Sequence, residues 1–175
     1  MTRVHLTMTR VQRRYLAFFS GVIGVLLILF VVVSTSSYSL PSSVIEHEDA
    51  KVDGGTARYR LKLLGVTNSI ALFDISSDIE HIAKHEVKNN NNEGTILFTI
   101  VGDGQDIYGN SSQVYAFDLQ YTMDDLKKIN WDNVDCMQLL NLGIIVNKSP
   151  AGTKLISDYC EENRVSSEVF CAEGS

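Results

Sequence analysis

The chain has 175 residues, enough for about one domain, and its 45% hydrophobic content with sparse Gly and Pro excludes a disordered or collagen-like protein. All 21 acidic residues lie at or beyond Glu46 together with 11 of the 15 Lys and Arg, so this part has a net charge of −10. It lacks the basic face that phosphate groups require, and nucleic acid is therefore not an expected partner.

The first predicted element is a transmembrane helix at residues 16–33. Its 18 residues contain no charge and no proline, and as a helix they span roughly 27 Å, close to the thickness of a bilayer core. The four basic residues before it are Arg3, Arg10, Arg13 and Arg14. Since the next basic residue is Lys51, the positive-inside rule predicts that residues 1–15 stay in the cytoplasm. We expect a single-pass signal-anchor in the plasma or inner membrane, with the lipid bilayer as one partner.

The alternative is a cleaved signal peptide and a secreted protein. Signal peptides have a shorter apolar region of about 7–15 residues and an A-x-A-like cleavage site. No Ala lies near the end of this segment, and Ser34 and Ser36 form only an imperfect site. Length and flanks therefore favour a retained anchor.

Two further features of the N-terminal segment leave alternatives open. The sequence MTRV occurs at Met1 and again at Met8, so translation could begin at either methionine. Two small-xxx-small pairs in the helix, Ala17 with Gly21 and Ser20 with Gly24, would allow a homodimer.

Residues 34–55 are polar and Ser-rich and end in Gly54-Gly55, which predicts a mobile linker. The extracytoplasmic domain is assigned to residues 56–175. Residues 56–63 alternate apolar and charged side chains, as in a strand with one face in water. The apolar run 66–75 is predicted as a second strand, which would form a hairpin with the first.

A helix is predicted next, because Ser77 and Glu80 fit the capping-box pattern, and it should end near Val87. The remaining predictions are strands at 95–101, 113–121 and 144–146, and helices starting at Thr122, at Asp132 and after Ser149-Pro150. This order predicts an α+β domain with a largely antiparallel sheet and three to four helices.

Metal signals in the sequence are weak. His81 and His85 are four residues apart on a predicted helix, where both could reach one ion, but they do not form the H-E-x-x-H pattern. Asp106 belongs to a Gly-rich stretch that matches a calcium-binding nonapeptide in a single copy, whereas such repeats bind calcium by stacking. We expect no cofactor.

Arg58, Arg60 and Lys62 form a basic stripe on one face of the first strand of the domain, which could bind an anion. No nucleophile with a nearby His is readable, and all four histidines lie at or before position 85. Paired carboxylates remain the one catalytic option.

Three cysteines follow the predicted anchor, in a compartment where disulfides persist. Cys160 and Cys171 are the favoured pair because they close a short loop onto the last helix. Cys136 is then buried or links two chains.

These features predict a membrane-anchored extracytoplasmic binding or accessory domain of an envelope or surface complex, with a protein partner. A secreted binding protein or effector is the alternative. A carboxylate-based extracytoplasmic enzyme is the second alternative.

Overall fold

The structure is a computed structural model that describes residues 38–50, 54–63, 69–89, 94–105, 108–165 and 168–174. Leu40–Ser175 forms a compact unit. The predicted transmembrane segment at 16–33 lies outside the described residues. None of the helices in the described part has both the length and the apolar character that crossing a bilayer requires.

Among the described residues, the fold is α+β, with a five-stranded, mostly antiparallel sheet and five helices. The strands are β1 (Val44–Glu48), β2 (Thr56–Lys62), β3 (Thr95–Gln105), β4 (Ser111–Thr122) and β5 (Ile144–Lys148). The helices are α1 (Ser69–Asn89), α2 (Met123–Leu126), α3 (Cys136–Leu142), α4 (Pro150–Asn163) and α5 (Val169–Gly174). Sheet order follows chain order, and only β2 and β3 pair in parallel, because α1 connects them.

The core lies between one face of the sheet and the helices. Alternate residues of β2, β3 and β4 are buried on that face, including Leu61, Phe98 and Leu119. They pack with apolar residues of α1 and α4, such as Ile82 and Ile156. The other face carries charged and polar side chains, which explains the alternation in the sequence.

Two expectations about the early part of the domain were wrong. Val44–Glu48, within the predicted linker, forms β1 and pairs antiparallel with β2. Most of the predicted strand at 66–75 is helical instead. The helix α1 begins at Ser69 and continues through Ser77 without interruption. Its apolar residues Ala71, Leu72 and Ile75 recur at helical spacing and are buried. The capping box at Ser77 was therefore a chance match inside a helix.

Helix starts in the second half follow the predicted capping chemistry. The Thr122 side chain accepts a hydrogen bond from the amide of Asp125 and begins α2. The Ser149 side chain accepts one from the amide of Gly152 and begins α4, whose first residue is Pro150. The helix predicted from Asp132 begins later, after the capping box of Asp135. The short α5 was not predicted.

The predicted disulfide between Cys160 and Cys171 is confirmed. It joins α4 to α5, with 5.9 Å between the Cα atoms and 11 residues of sequence separation. Both cysteines are buried. The bridge thus holds the C-terminal helix against the core.

Candidate functional site

The two histidines proposed as weak metal ligands have different surroundings on α1. His81 is exposed, whereas His85 is half-buried and its Nδ1 lies 3.9 Å from Oε1 of Glu86. Over the ranges that the structure describes, no three His, Cys, Asp or Glu side chains are grouped so as to hold a metal ion. Asp106 lies outside those ranges.

Glu86 is a buried carboxylate whose role sequence reasoning missed. It is 6% exposed, and the hydroxyl of Tyr59 donates a 2.6 Å hydrogen bond to its Oε1. Asp49, His85 and Asn89 line a cavity of about 300 Å³ together with Glu86. Glu86 lies four residues after Ile82 and three after Ala83, so it falls on the same, buried side of the helix. This spacing is the sequence signal that could have indicated its burial.

The basic stripe of Arg58, Arg60 and Lys62 lies on the polar face of β2. An Arg60 guanidinium nitrogen is 3.6 Å from Oε2 of Glu46, and Nζ of Lys62 is 2.8 Å from Oδ1 of Asp103. Two of the three cations therefore already face carboxylates. Anion binding at this stripe stays a prediction that the geometry does not strengthen.

Arg60 belongs to a polar row that crosses the whole sheet. Consecutive strand partners in this row are Glu46, Arg60, Thr99, Asp118 and Asn147. The Asn147 side-chain amide donates to Asp118 at 3.3 Å. The row holds two acids, one base, one hydroxyl and one amide, so it contains charges of both signs and is not a purely basic surface.

Cys136 begins α3 and is half-buried in a small polar cluster. The Ser76 hydroxyl donates to its Sγ at 2.7 Å, and the Tyr159 hydroxyl lies 3.7 Å away. Burial, followed by the hydrogen bond with Cys136, raises the pKa of Tyr159 above its usual range. The thiol is thus held by α1 and α4, in keeping with a packing role.

The most distinctive surface is an apolar patch at the β5 edge of the sheet. Leu142, Ile144, Val146 and Val169 are 43%, 55%, 41% and 54% exposed, and we call them the β5 patch. β5 is the last strand in the sheet order, and α5, which carries Val169, packs against it. Large exposed apolar side chains on and next to one edge strand are typical of an interaction site.

An open groove of about 560 Å³ adjoins the β5 patch. Leu142 belongs to both, and the other apolar lining residues are Ile129 and Val134. The remaining lining side chains include four amides, Asn130, Asn133, Gln138 and Asn141. Amide groups both donate and accept hydrogen bonds, as a peptide backbone does.

The walls of the groove are held by specific contacts. The Asn141 side chain donates to Oε2 of Glu168 at 2.8 Å and accepts from the amide of Phe170 at 2.9 Å, which ties α3 to the start of α5. Trp131, in the loop that carries Ile129, lies under the ammonium group of Lys84 at 5.7 Å. The groove is therefore built on fixed elements.

A close approach sets the junction between groove and β5. A Cβ atom at Gly143 would lie 2.6 Å from Cδ1 of Leu119 and 2.9 Å from Cζ of Tyr121. Glycine therefore lets the end of α3 lie directly on β4 before the chain enters β5.

Sequence reasoning predicted the strand at 144–146 but not the patch. An apolar run cannot show whether its strand lies at the centre or the edge of a sheet, and Val169 is remote in sequence. Comparisons with protein-family models, with curated proteins and with solved structures found no match to this chain.

Proposed function

We propose that this protein is a single-pass, membrane-anchored binding subunit whose extracytoplasmic domain holds a partner protein at the β5 patch. The observation that carries the proposal is that four apolar residues on or next to the edge strand β5 are each more than 40% exposed, namely Leu142, Ile144, Val146 and Val169. Exposed apolar side chains concentrated at one edge of a domain are a common mark of a protein interaction site.

The placement outside the cytoplasm is supported by two independent features. Residues 16–33 have the length and the arginine flank of a signal-anchor. The disulfide between Cys160 and Cys171 is of a kind that persists in oxidising compartments.

Orientation and retention are tested on the full chain. A reporter that folds only outside the cytoplasm, fused after Ser175, should be active, and replacing Arg10, Arg13 and Arg14 with Glu should reduce its activity. The mature protein should keep its N-terminus by mass spectrometry and stay in the membrane fraction. An N-terminus near Ser34 with release from the membrane would instead support the secreted alternative.

Binding is tested by co-purification from detergent-solubilised membranes. Replacing Ile144 with Lys should lower the amount of a specific co-purified protein at least about tenfold, since a charge in an apolar contact costs over 1 kcal/mol. Replacing Ile70, which is 63% exposed on α1, with Lys is the matched control and should leave recovery unchanged. Equal recovery with both variants would contradict the proposed function.

A further inference from the structure

The chain contains two tripeptides of the Asn-x-Ser form that accepts N-linked glycans. These are Asn110-Ser111-Ser112 and Asn147-Lys148-Ser149. Neither has proline at its middle position, so both match the acceptor pattern. A glycan is bulky and polar, and such tripeptides are modified in surface loops of exported proteins. The two tripeptides lie in different surroundings, and this difference distinguishes them as acceptors.

Asn110 lies at the tip of the hairpin formed by β3 and β4. It comes directly before β4 and follows Gly109, whose φ of 82° lies in the left-handed region that glycine adopts without steric cost. Residues 108–113 are all exposed. A Cβ atom at Gly109 would meet no atom of the described residues within 4 Å. The tip therefore has open space around it for a large substituent.

The hairpin tip also projects beyond the neighbouring strands. In the described part of the chain, β2 pairs with β3 as far as Val101, and β5 pairs with β4 at residues 117–120. Past these partners, residues 102–105 and 111–114 form four further pairs of β3 with β4. At about 3.4 Å per residue, these pairs extend the hairpin by roughly 13 Å. A substituent on Asn110 is thus held away from the rest of the sheet.

Asn147 is instead built into the sheet. Its backbone pairs with that of Asp118, and its side-chain nitrogen, the atom to which a glycan would be attached, donates to Oδ2 of Asp118 at 3.3 Å. The Ser149 hydroxyl of the same tripeptide donates to the carbonyl oxygen of Tyr115 at 2.6 Å and caps α4, whose first residue is Pro150. The fold therefore uses both polar side chains that the acceptor pattern requires.

We infer, resting on the proposed placement outside the cytoplasm, that Asn110 is the N-glycosylation site of this domain and that Asn147 is not modified. The co-substrate is an oligosaccharide joined through a diphosphate to a membrane lipid. The side-chain nitrogen of Asn110 forms a bond to C1 of the first sugar, and the bond from C1 to the diphosphate oxygen breaks. The lipid diphosphate leaves, one amide proton passes to a base of the transferase, and nothing is oxidised or reduced.

A glycan at Asn110 is compatible with partner binding at the β5 patch. Residues 108–113 belong neither to the patch nor to the lining of the adjoining groove. The glycan would cover the hairpin tip, where Tyr108 is 82% exposed. Modification and partner binding thus use separate parts of the surface.

The experiment uses the full chain with an epitope tag after Ser175, made in mammalian cells. Enzymatic removal of N-linked glycans should increase its gel mobility by the mass of one glycan. Asn110→Gln and Ser112→Ala should each abolish this shift, and Ser112→Ala does so while keeping the acceptor asparagine. Asn147→Gln is the matched control and should keep the shift unchanged.

Mass spectrometry then locates the attachment. Enzymatic removal of the glycan in ¹⁸O-labelled water converts the modified asparagine to a labelled aspartate. The label should be found at position 110 and not at position 147. Label at position 147, whether alone or in addition to position 110, would overturn the inference.

A second acceptor separates failure of the inference from failure of the proposed function. The tripeptide Asn-Gly-Thr, placed after Ser175 on a flexible linker, reports whether the C-terminal domain reaches the glycosylating compartment. A modified tag with unmodified Asn110 would overturn the inference and leave the proposed placement intact. If neither the tag nor Asn110 is modified, the domain is not outside the cytoplasm, and the proposed function and the inference fail together.

Discussion

The hydroxyl of Tyr59 on β2 donates a 2.6 Å hydrogen bond to Oε1 of Glu86 on α1, deep in the interface between sheet and helix. The two residues are only 3% and 6% exposed, so little water competes for this bond. Tyr59 also stacks on Phe98, at 5.7 Å between ring centroids. The bond therefore ties α1 to β2.

Replacing Tyr59 with Phe should lower the free energy of unfolding by about 1.5–3 kcal/mol, because a buried carboxylate loses a hydrogen-bond donor while the ring packing is kept. Urea unfolding followed by circular dichroism measures this. Tyr108→Phe is the control, since Tyr108 is 82% exposed, and should change stability by less than about 0.5 kcal/mol. Equal effects of the two substitutions would contradict a stabilising role for the bond.

Removing the disulfide with the double variant Cys160→Ala, Cys171→Ala should lower the free energy of unfolding by about 2–3 kcal/mol. The reason is that the bridge between these cysteines, 11 residues apart, no longer constrains the unfolded chain. Thermal unfolding of both proteins without reductant measures the loss. Thiol titration of the denatured, non-reduced protein should find one reactive thiol, that of Cys136. Three reactive thiols would mean that the bridge does not form in the natural compartment.

Stability should fall in alkaline solution as partly and fully buried tyrosines ionise. Burial, and next the charge of nearby Asp118, raises the pKa of Tyr115 to about 12, and burial raises the pKa of Tyr121 above its usual range. The unfolded chain releases these protons near pH 10, whereas the folded chain retains them. Their contribution is therefore fully present below about pH 10 and is lost as the pH rises toward 12.

Absorbance at 295 nm during a pH titration checks this. Some of the seven tyrosines should ionise near pH 10, and the rest only together with unfolding. Ionisation of all seven in one step before any loss of circular dichroism would be inconsistent with the buried positions of Tyr121 and Tyr159.

Replacing Gly152 with Ala should destabilise the fold by about 1–3 kcal/mol. A Cβ atom at this position in α4 would collide with the backbone carbonyl of Ala116 on β4. The two elements are already tied by the Ser149 hydroxyl, which donates to the carbonyl oxygen of Tyr115 at 2.6 Å. Ser157→Ala on the same helix is the control. A smaller loss of stability for Gly152→Ala than for Ser157→Ala would show that α4 does not pack this closely on β4.

The parts of the fold that sequence predicted well have local causes. Ser149 before Pro150 specified the start of α4, and alternation in β2 placed Tyr59 and Leu61 inward. The failures involve long-range competition. Residues 69–75 pack as a helix because α1 covers the sheet, and tertiary burial outweighs the strand tendency of a short apolar run.

The candidate site was less predictable than the fold. Ile144 and Val146 look like ordinary strand residues in sequence, and only the sheet order places them at an edge. Val169 joins them through α5, a helix that sequence reasoning did not find. The contact of Glu86 with Tyr59 joins residues 27 apart and could not be read from the sequence.

Site-specific photo-crosslinking in the cells that make this protein tests the central claim most directly. A photoreactive amino acid at position 144 should give one crosslinked product of defined mass, and the same amino acid at position 45, on the opposite edge, should give none at that mass. Both native side chains, those of Ile144 and Ile45, are exposed isoleucines on edge strands, so accessibility is comparable. Crosslinking at position 45 with none at position 144 would contradict the assignment of the β5 patch as the binding surface.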